Sequence, residues 1–352
     1  MTYVCYFLQT ECQTLLVLIS KEKELIVKDR QKNNKVRCSL FSKQVGEKVS
    51  GSAPNWKRCL VFELPSPWKA DILETLHFPP QIIEIVSKVE SAGEDLRIQC
   101  VNPDDEYSVT GFIRVMLFSR PEKERFDRFI REEYLIPTEL LGGLVESLVL
   151  SRDDLTGYKD YLEKNDDIRD IFVCTHGIRD TCCGSFGIPI YRQLRERYPN
   201  IVDHGLRIWR MSHIGGHRLA PNLIDMPSGR NWVRIEESDL DTMIFRNKPV
   251  SQLAEKYRGL IALDSPYEMV AEGEVFIREG WRFLDMSISS KIESATDVDG
   301  VKVSVEALSA INEPVTYFVV VKHGGKIEYI KCRGDEVEED DQYYTVSVEK
   351  IV

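Results

Sequence analysis

Between Cys174 and His217 the sequence gathers three of its nine cysteines and four of its six histidines into 44 residues. The window opens CTHGIRDTCCGSFG and closes MSHIGGHRLAPN, which sets Cys174 and Cys183 as C-x8-C and His213 and His217 as H-x3-H. Thiolates and imidazoles ligate both zinc and iron–sulfur clusters, and two of each completes either set. On residue types alone both remain open: a structural zinc, or a [2Fe–2S] cluster with the cysteines on one iron and the histidines on the other. A phosphatase-like nucleophile in C-x5-R does not fit, because Asp180 holds the required position and Arg179 stands one residue early.

The elements around the window place these residues together. DIRDIFVC reads as a strand ending at Cys174, so the loop lies at the strand's C-terminal end, where open α/β sheets put their sites. FGIPIYRQLRERY reads as a helix whose start favours thiolate and sulfide charge. Gly177, Gly184 and Gly187 permit close backbone approach, as do Gly215 and Gly216 between the histidines. GLRIWRMS is the next strand, followed by a hairpin, NLIDM-PSGR-NWVRI, and a helix, ESDLDTMIFRN. That element order is the thioredoxin-like one. Pro221 stands before a strand, where a cis bond is an option, and Trp209 and Trp232 read as core.

Upstream, RCLVFEL reads as a strand, WKADILETL as a short helix, and QIIEIVSKV, DLRIQCVN and VTGFIRVMLFS as strands; KERFDRFIREEYL and PTELLGGLVESLVL read as helices. Residues 251–285 read as helical, and the alternation from Ser287 onward as antiparallel strands. The expected organisation is an extension at 1–37, an α/β unit at 38–160, a thioredoxin-like domain at 161–286 and a small antiparallel β appendage at 287–352. The two α/β units are compatible with a distant relationship.

A net charge of −11 leaves no basic stripe to replace phosphate counterions, which argues against nucleic acid. The apolar start MTYVCYFLQTECQTLLVLIS lacks a basic region and a cleavage site and is broken by Gln9, Glu11 and Gln13, so neither a signal peptide nor a membrane span is expected. Nine cysteines at irregular spacing fit a reducing, cytoplasmic setting, with Cys5, Cys12, Cys38, Cys59, Cys100 and Cys332 as plain buried thiols. The acidic run from Asp335 to Asp341 reads as a solvated loop or a docking patch for a basic redox partner.

The strings CTHGIRDTCCG, HIGGHRLAPN and GSAPNWKRCLVFELPSPWKAD resemble the sucrase/ferredoxin-like family, a branch of the thioredoxin-like [2Fe–2S] ferredoxins, across roughly residues 38–345. The family pattern C-x-H-G-x-R-D-x-x-C-G falls on Cys174, His176, Gly177, Arg179, Asp180, Cys183 and Gly184. H-x-G-G-H-R falls on His213, Gly215, Gly216, His217 and Arg218. The resemblance implies a [2Fe–2S] cluster held by Cys174, Cys183, His213 and His217, and it favours Cys183 over the adjacent Cys182, which spacing alone would also allow. Around it, His176 is expected to hydrogen-bond near the ligands, Arg179 to pair with Asp180, and Arg218 to tune the cluster or pair with Asp225. No carboxylate pair supports the glycosidase that the "sucrase" label implies. The expected function is one-electron transfer or redox sensing with an unidentified protein partner. The alternatives are a zinc-stabilised interaction module and a thiol oxidoreductase using Cys182.

Overall fold

The computed structural model describes residues 37–165, 167–199, 205–296, 300–311, 313–332 and 337–351. The expected extension lies outside them apart from Arg37, as do Cys5, Cys12 and His204.

After a short helix α1 (Cys38–Gln44), one ten-stranded sheet runs through two α/β halves. In the first, β1 (Arg58–Glu63), α2 (Pro80–Ser91) and β2 (Arg97–Val101) form a strand–helix–strand unit with β1 and β2 parallel. On the other side of β1 lie β3 (Phe112–Ser119) and β4 (Ile130–Pro137), antiparallel in turn, then α3 (Leu141–Val149) and the short edge strand β5 (Leu162–Glu163). The second half repeats the plan. β6 (Arg169–Cys174), α4 (Thr181–Arg197) and β7 (Leu206–Met211) form the parallel unit. β8 (Asn222–Met226) and β9 (Arg230–Val233) add antiparallel beyond β6, followed by α5 (Leu240–Phe245), β10 (Tyr257–Leu260) and α6 (Pro266–Glu279). Each half therefore has the strand order and directions of a thioredoxin-like sheet, and β2 meets β7 antiparallel at the seam.

β6 reads RDIFVC with its last five residues buried, the continuous burial of a central strand covered on both faces. Beside the apolar core that runs across the seam, the two halves share a buried ion network. Arg207 of β7 gives Nη1 to Glu133 of β4 at 2.6 Å and Nε to Asp170 of β6 at 2.8 Å, and Asp170 also accepts from Trp209 Nε1 at 2.8 Å. Trp209 and Trp232 are both buried.

Beyond the sheet, β11 (Ser287–Thr296), β12 (Gly300–Leu308), β13 (Pro314–Ile330) and β14 (Val337–Ile351) form a four-stranded antiparallel meander. α6 packs between this meander and the main sheet. Val303, Val305, Val319 and Val321 join the same core as β6 and β7.

Several local expectations are corrected. QIIEIVSKV is the helix α2, burying Ile82, Ile85 and Val89, not a strand. IREEYLIP is strand β4, not helix, because Glu133 points inward to Arg207 and disguises the alternation. WKADILETL keeps only a 3-10 turn at Ile72–Glu74, and the expected helical stretch at 251–285 contains strand β10.

Candidate metal centre

Cys174 ends β6, and the chain turns over six residues into α4. Asp180 caps that helix, its carboxylate accepting from Cys182 N at 2.8 Å. The turn is tight because its glycines touch. A Cβ on Gly184 would lie 2.8 Å from Gly177 Cα, and one on Gly187 would lie 1.9 Å from the Cys174 carbonyl oxygen. Cys183, in the first turn of α4, thereby faces back toward Cys174.

The histidine loop is anchored from the other half of the sheet. Ser212 N donates to Cys100 O at 2.8 Å, and the His213 carbonyl accepts from Arg97 Nη2 and Gln99 Nε2 of β2, both at 3.1 Å. Gly215 and Gly216 take φ of 101° and 69°, a left-handed path open to glycine at little cost. The loop then enters β8 through a cis Ala220–Pro221 bond.

These constraints bring the ligand atoms of Cys174, Cys183 and His213 within 4.8 Å of one another. His213 Nδ1 lies 3.5 Å from Cys183 Sγ and 4.0 Å from Cys174 Sγ. The thiol of Cys183 donates to Cys174. That hydrogen bond, aided by His213, holds Cys174 well below the usual thiol range and pushes Cys183 above it. Both sulfurs are buried, whereas His213 and His217 are partly buried, the His217 side chain 19% exposed.

His217 stands with its ring centre 6.2 Å from that of His213. Its Nδ1 faces Asp180 Oδ2 and Cys38 Sγ, each at 3.2 Å. With Nδ1–H donated to the carboxylate, Nε2 is the nitrogen free to ligate, the usual arrangement of a histidine steered by a carboxylate. Burial lowers its pKa, against the opposing charge of Asp180.

Cys182 points elsewhere than Cys183. Its sulfur lies 3.4 Å from Cys38 Sγ and 3.0 Å from Cys332 Sγ, and those two lie 3.1 Å apart. Hydrogen bonds from Cys332 and Cys38 hold the Cys182 thiol down to about 3 despite burial. Cys38 and Cys332 are thus not isolated packing thiols. No local spacing announces this, since the three are 144 to 294 residues apart. Cys59 and Cys100 are plain buried thiols.

The remaining expected residues have other partners. His176 gives Nε2–H to the Lys69 carbonyl at 2.8 Å and packs edge-on to Trp68, so its proton is fixed on Nε2 and burial lowers its pKa. Arg179 reaches the Ala70 carbonyl at 3.3 Å instead of Asp180, whose ion-pair partner is His217. Arg218 pairs with Glu47 at 2.6 Å and with Asp340 of β14, not with Asp225, which Arg169 takes. Arg258, absent from the sequence reading, is a further buried cation beside the loop. Its Nη1 reaches Gly215 O at 3.4 Å, and burial lowers its pKa to about 9.

An open cavity of about 270 Å³ lies between the halves, lined by Asp71, Arg97, His176, Arg179 and His213 among others. It leaves the His213 edge of the site accessible. No helix among the described residues is long and apolar enough to cross a membrane.

The family described as sucrase/ferredoxin-like matches residues 49–259, which span β1 to β10 and include all four expected ligands but neither Cys38 nor Cys332. A thioredoxin-like [2Fe–2S] ferredoxin from Aquifex aeolicus matches with 16% identity over 25% of this chain and 89% of that chain, at a TM-score of 0.21. No curated protein matches the chain.

Proposed function

The chain belongs to the sucrase/ferredoxin-like family, and from that premise we propose that it carries one [2Fe–2S] cluster on Cys174, Cys183, His213 and His217 and serves in electron transfer or redox sensing. The observation that carries the reading is the convergence of Cys174, Cys183 and His213 within 4.8 Å, with the His217 ring beside His213. The donor set fits the group: two buried thiols that face each other, and an imidazole whose Nε2 is left free by Asp180. A bound [2Fe–2S] cluster accepts and returns one electron, and histidine ligation places its potential above that of all-cysteine clusters.

The chain's own part is positional. Buried Cys174 and Cys183 keep water from the sulfur side, and the His213 edge, which lines an open cavity, is the face on which a protein partner docks. Arg97 and Gln99 hold the His213 carbonyl and so fix the depth of that ring. The thiol-oxidoreductase alternative is weakened because Cys182 is fully buried, out of reach of a substrate disulfide. A zinc at the same four residues is the competing occupant.

Anaerobic purification should yield iron and acid-labile sulfide in equal amounts, visible absorption and an EPR signal on reduction. His213→Ala and His217→Ala should each bleach or shift that spectrum. Zinc in place of iron, or an unchanged spectrum in both variants, would refute the assignment.

A further inference from the structure

We propose a second metal site, a zinc held by Cys38, Cys182 and Cys332 with Asp180 as fourth ligand. It shares no ligand with the four cluster positions.

The ligand atoms of these four residues all lie within 4.8 Å of one another. The three sulfurs form a near-equilateral triangle with sides of 3.0, 3.1 and 3.4 Å. Zinc–sulfur bonds of about 2.3 Å in a tetrahedron put sulfurs about 3.8 Å apart, so the pairs need to open by about 0.4 to 0.8 Å. The same separations lie an ångström or more beyond a disulfide bond of about 2.0 Å. Asp180 Oδ1 stands 4.0 Å from Cys38 Sγ, and its carboxylate is fixed by Cys182 N–H and by His217. A carboxylate so oriented is a direct ligand that zinc accepts beside thiolates.

Cys38 and Cys182 are fully buried, and Cys332 is half-buried. The cluster around them is small: Cys38, Phe41, Cys182, Ala220 and Ile330 form an apolar satellite separate from the main cores. The three sulfurs arrive from three elements, α1, the first turn of α4 and the segment just after β13. Few apolar contacts hold α1 there, and a tetrahedral metal would supply the missing constraint, pinning the start of the described chain and the meander to the cluster-bearing helix. Binding releases the thiol protons and oxidises nothing, so no co-reactant is needed.

The test uses the full-length protein, purified from zinc-supplemented culture, with zinc and iron measured per chain. One zinc per chain is expected; Cys38→Ser and Cys332→Ser should each abolish it, and in Cys332→Ser, which lies away from the cluster ligands, iron stays at the wild-type level. Cys174→Ser should do the converse, so loss of iron assigns the cluster reading and loss of zinc assigns this one. Should the serine variants fail to fold, zinc X-ray absorption on the wild-type protein decides, with three sulfur ligands near about 2.3 Å and one oxygen expected. Absence of zinc from the wild type, a two-sulfur, two-nitrogen shell, or a disulfide among Cys38, Cys182 and Cys332 in alkylated, unreduced protein would each overturn the proposal.

Discussion

Gly187→Ala sets two physical effects against each other, and the structure gives the sign. Gly187 lies inside α4, where alanine is the better helix former by about 1 kcal/mol. Judged by helix propensity alone, the substitution stabilises. The ideal Cβ, however, sits 1.9 Å from the Cys174 carbonyl oxygen and 3.1 Å from its carbon. Ordinary contact begins at 3.4 Å, so the helix must retreat from the end of β6 by roughly 1.5 Å. The obstacle is backbone of a buried central strand, which has no rotamer to yield. Overpacking of this kind costs about 1–3 kcal/mol and more where nothing can move, so a net loss of about 2 kcal/mol or more is expected. The retreat also carries Cys183 away from Cys174, so iron content should fall further than stability does. Denaturant unfolding and iron per chain are measured side by side, with Gly157→Ala as control, since a Cβ there meets nothing within 4 Å. Full iron loading with unchanged or raised stability in Gly187→Ala would show that the close approach does not govern the site.

Other consequences can be read the same way. Burial alone would raise the Glu133 carboxyl, but Arg207, with Arg114 and Arg131 behind it, outweighs that and brings it from 4.5 down to about 2. A depressed folded pKa contributes stability that is complete above about pH 4.5 and is lost as pH falls toward about 2, on the order of 3 kcal/mol. Urea titrations across that window should show the loss in wild type and a flatter profile in Glu133→Gln. Glu272→Ala leaves Arg230 buried among the Phe276 and Phe283 rings with Tyr257, at 2.7 Å, as its remaining side-chain hydrogen-bond partner among the described residues, and should cost about 3–5 kcal/mol by thermal or denaturant unfolding. His213→Cys and His217→Cys should each retain a cluster and move its potential toward the roughly −400 mV of all-cysteine ferredoxins in protein-film voltammetry; an unmoved potential would exclude that histidine as a ligand.

What the sequence disclosed, it disclosed through local spacing. Cys174, Cys183 and His213 lie within one strand–loop–helix–strand unit, so their meeting was legible from ligand types and strand ends, whereas His217 stands beside them, with Nδ1 turned to Asp180 and Cys38. The thioredoxin-like order of the second half followed from the same alternation of strand and helix signals. α2 was hidden because Ile82, Ile83, Ile85 and Val86 are β-branched and crowd together, although Pro79–Pro80 marks the helix start and Ile82, Ile85 and Val89 hold helical spacing. β4 and β10 were hidden because charges that pair across the sheet, Glu133 with Arg207, and the buried Arg258 replace apolar residues in their pattern. The meeting of Cys38, Cys182 and Cys332 depends on how α1 and the meander dock on α4, which no local pattern encodes.

That docking gives the doublet Cys182–Cys183 its meaning. Neighbours on a helix project about 100° apart, so one thiol of the first turn of α4 faces Cys174 and His213 while the other faces Cys38 and Cys332. Asp180, one residue before the helix, touches both groups, through Cys182 N on one side and His217 on the other. A change that shifts the helix end, such as Gly187→Ala, must therefore disturb both groups together. A change at Cys332, which arrives from the meander beyond the family-matched residues, reaches only one. The two proposed sites would be joined mechanically through α4 and separable through the ligands that come from elsewhere, so iron and zinc contents should fall together in the first variant and part company in the second.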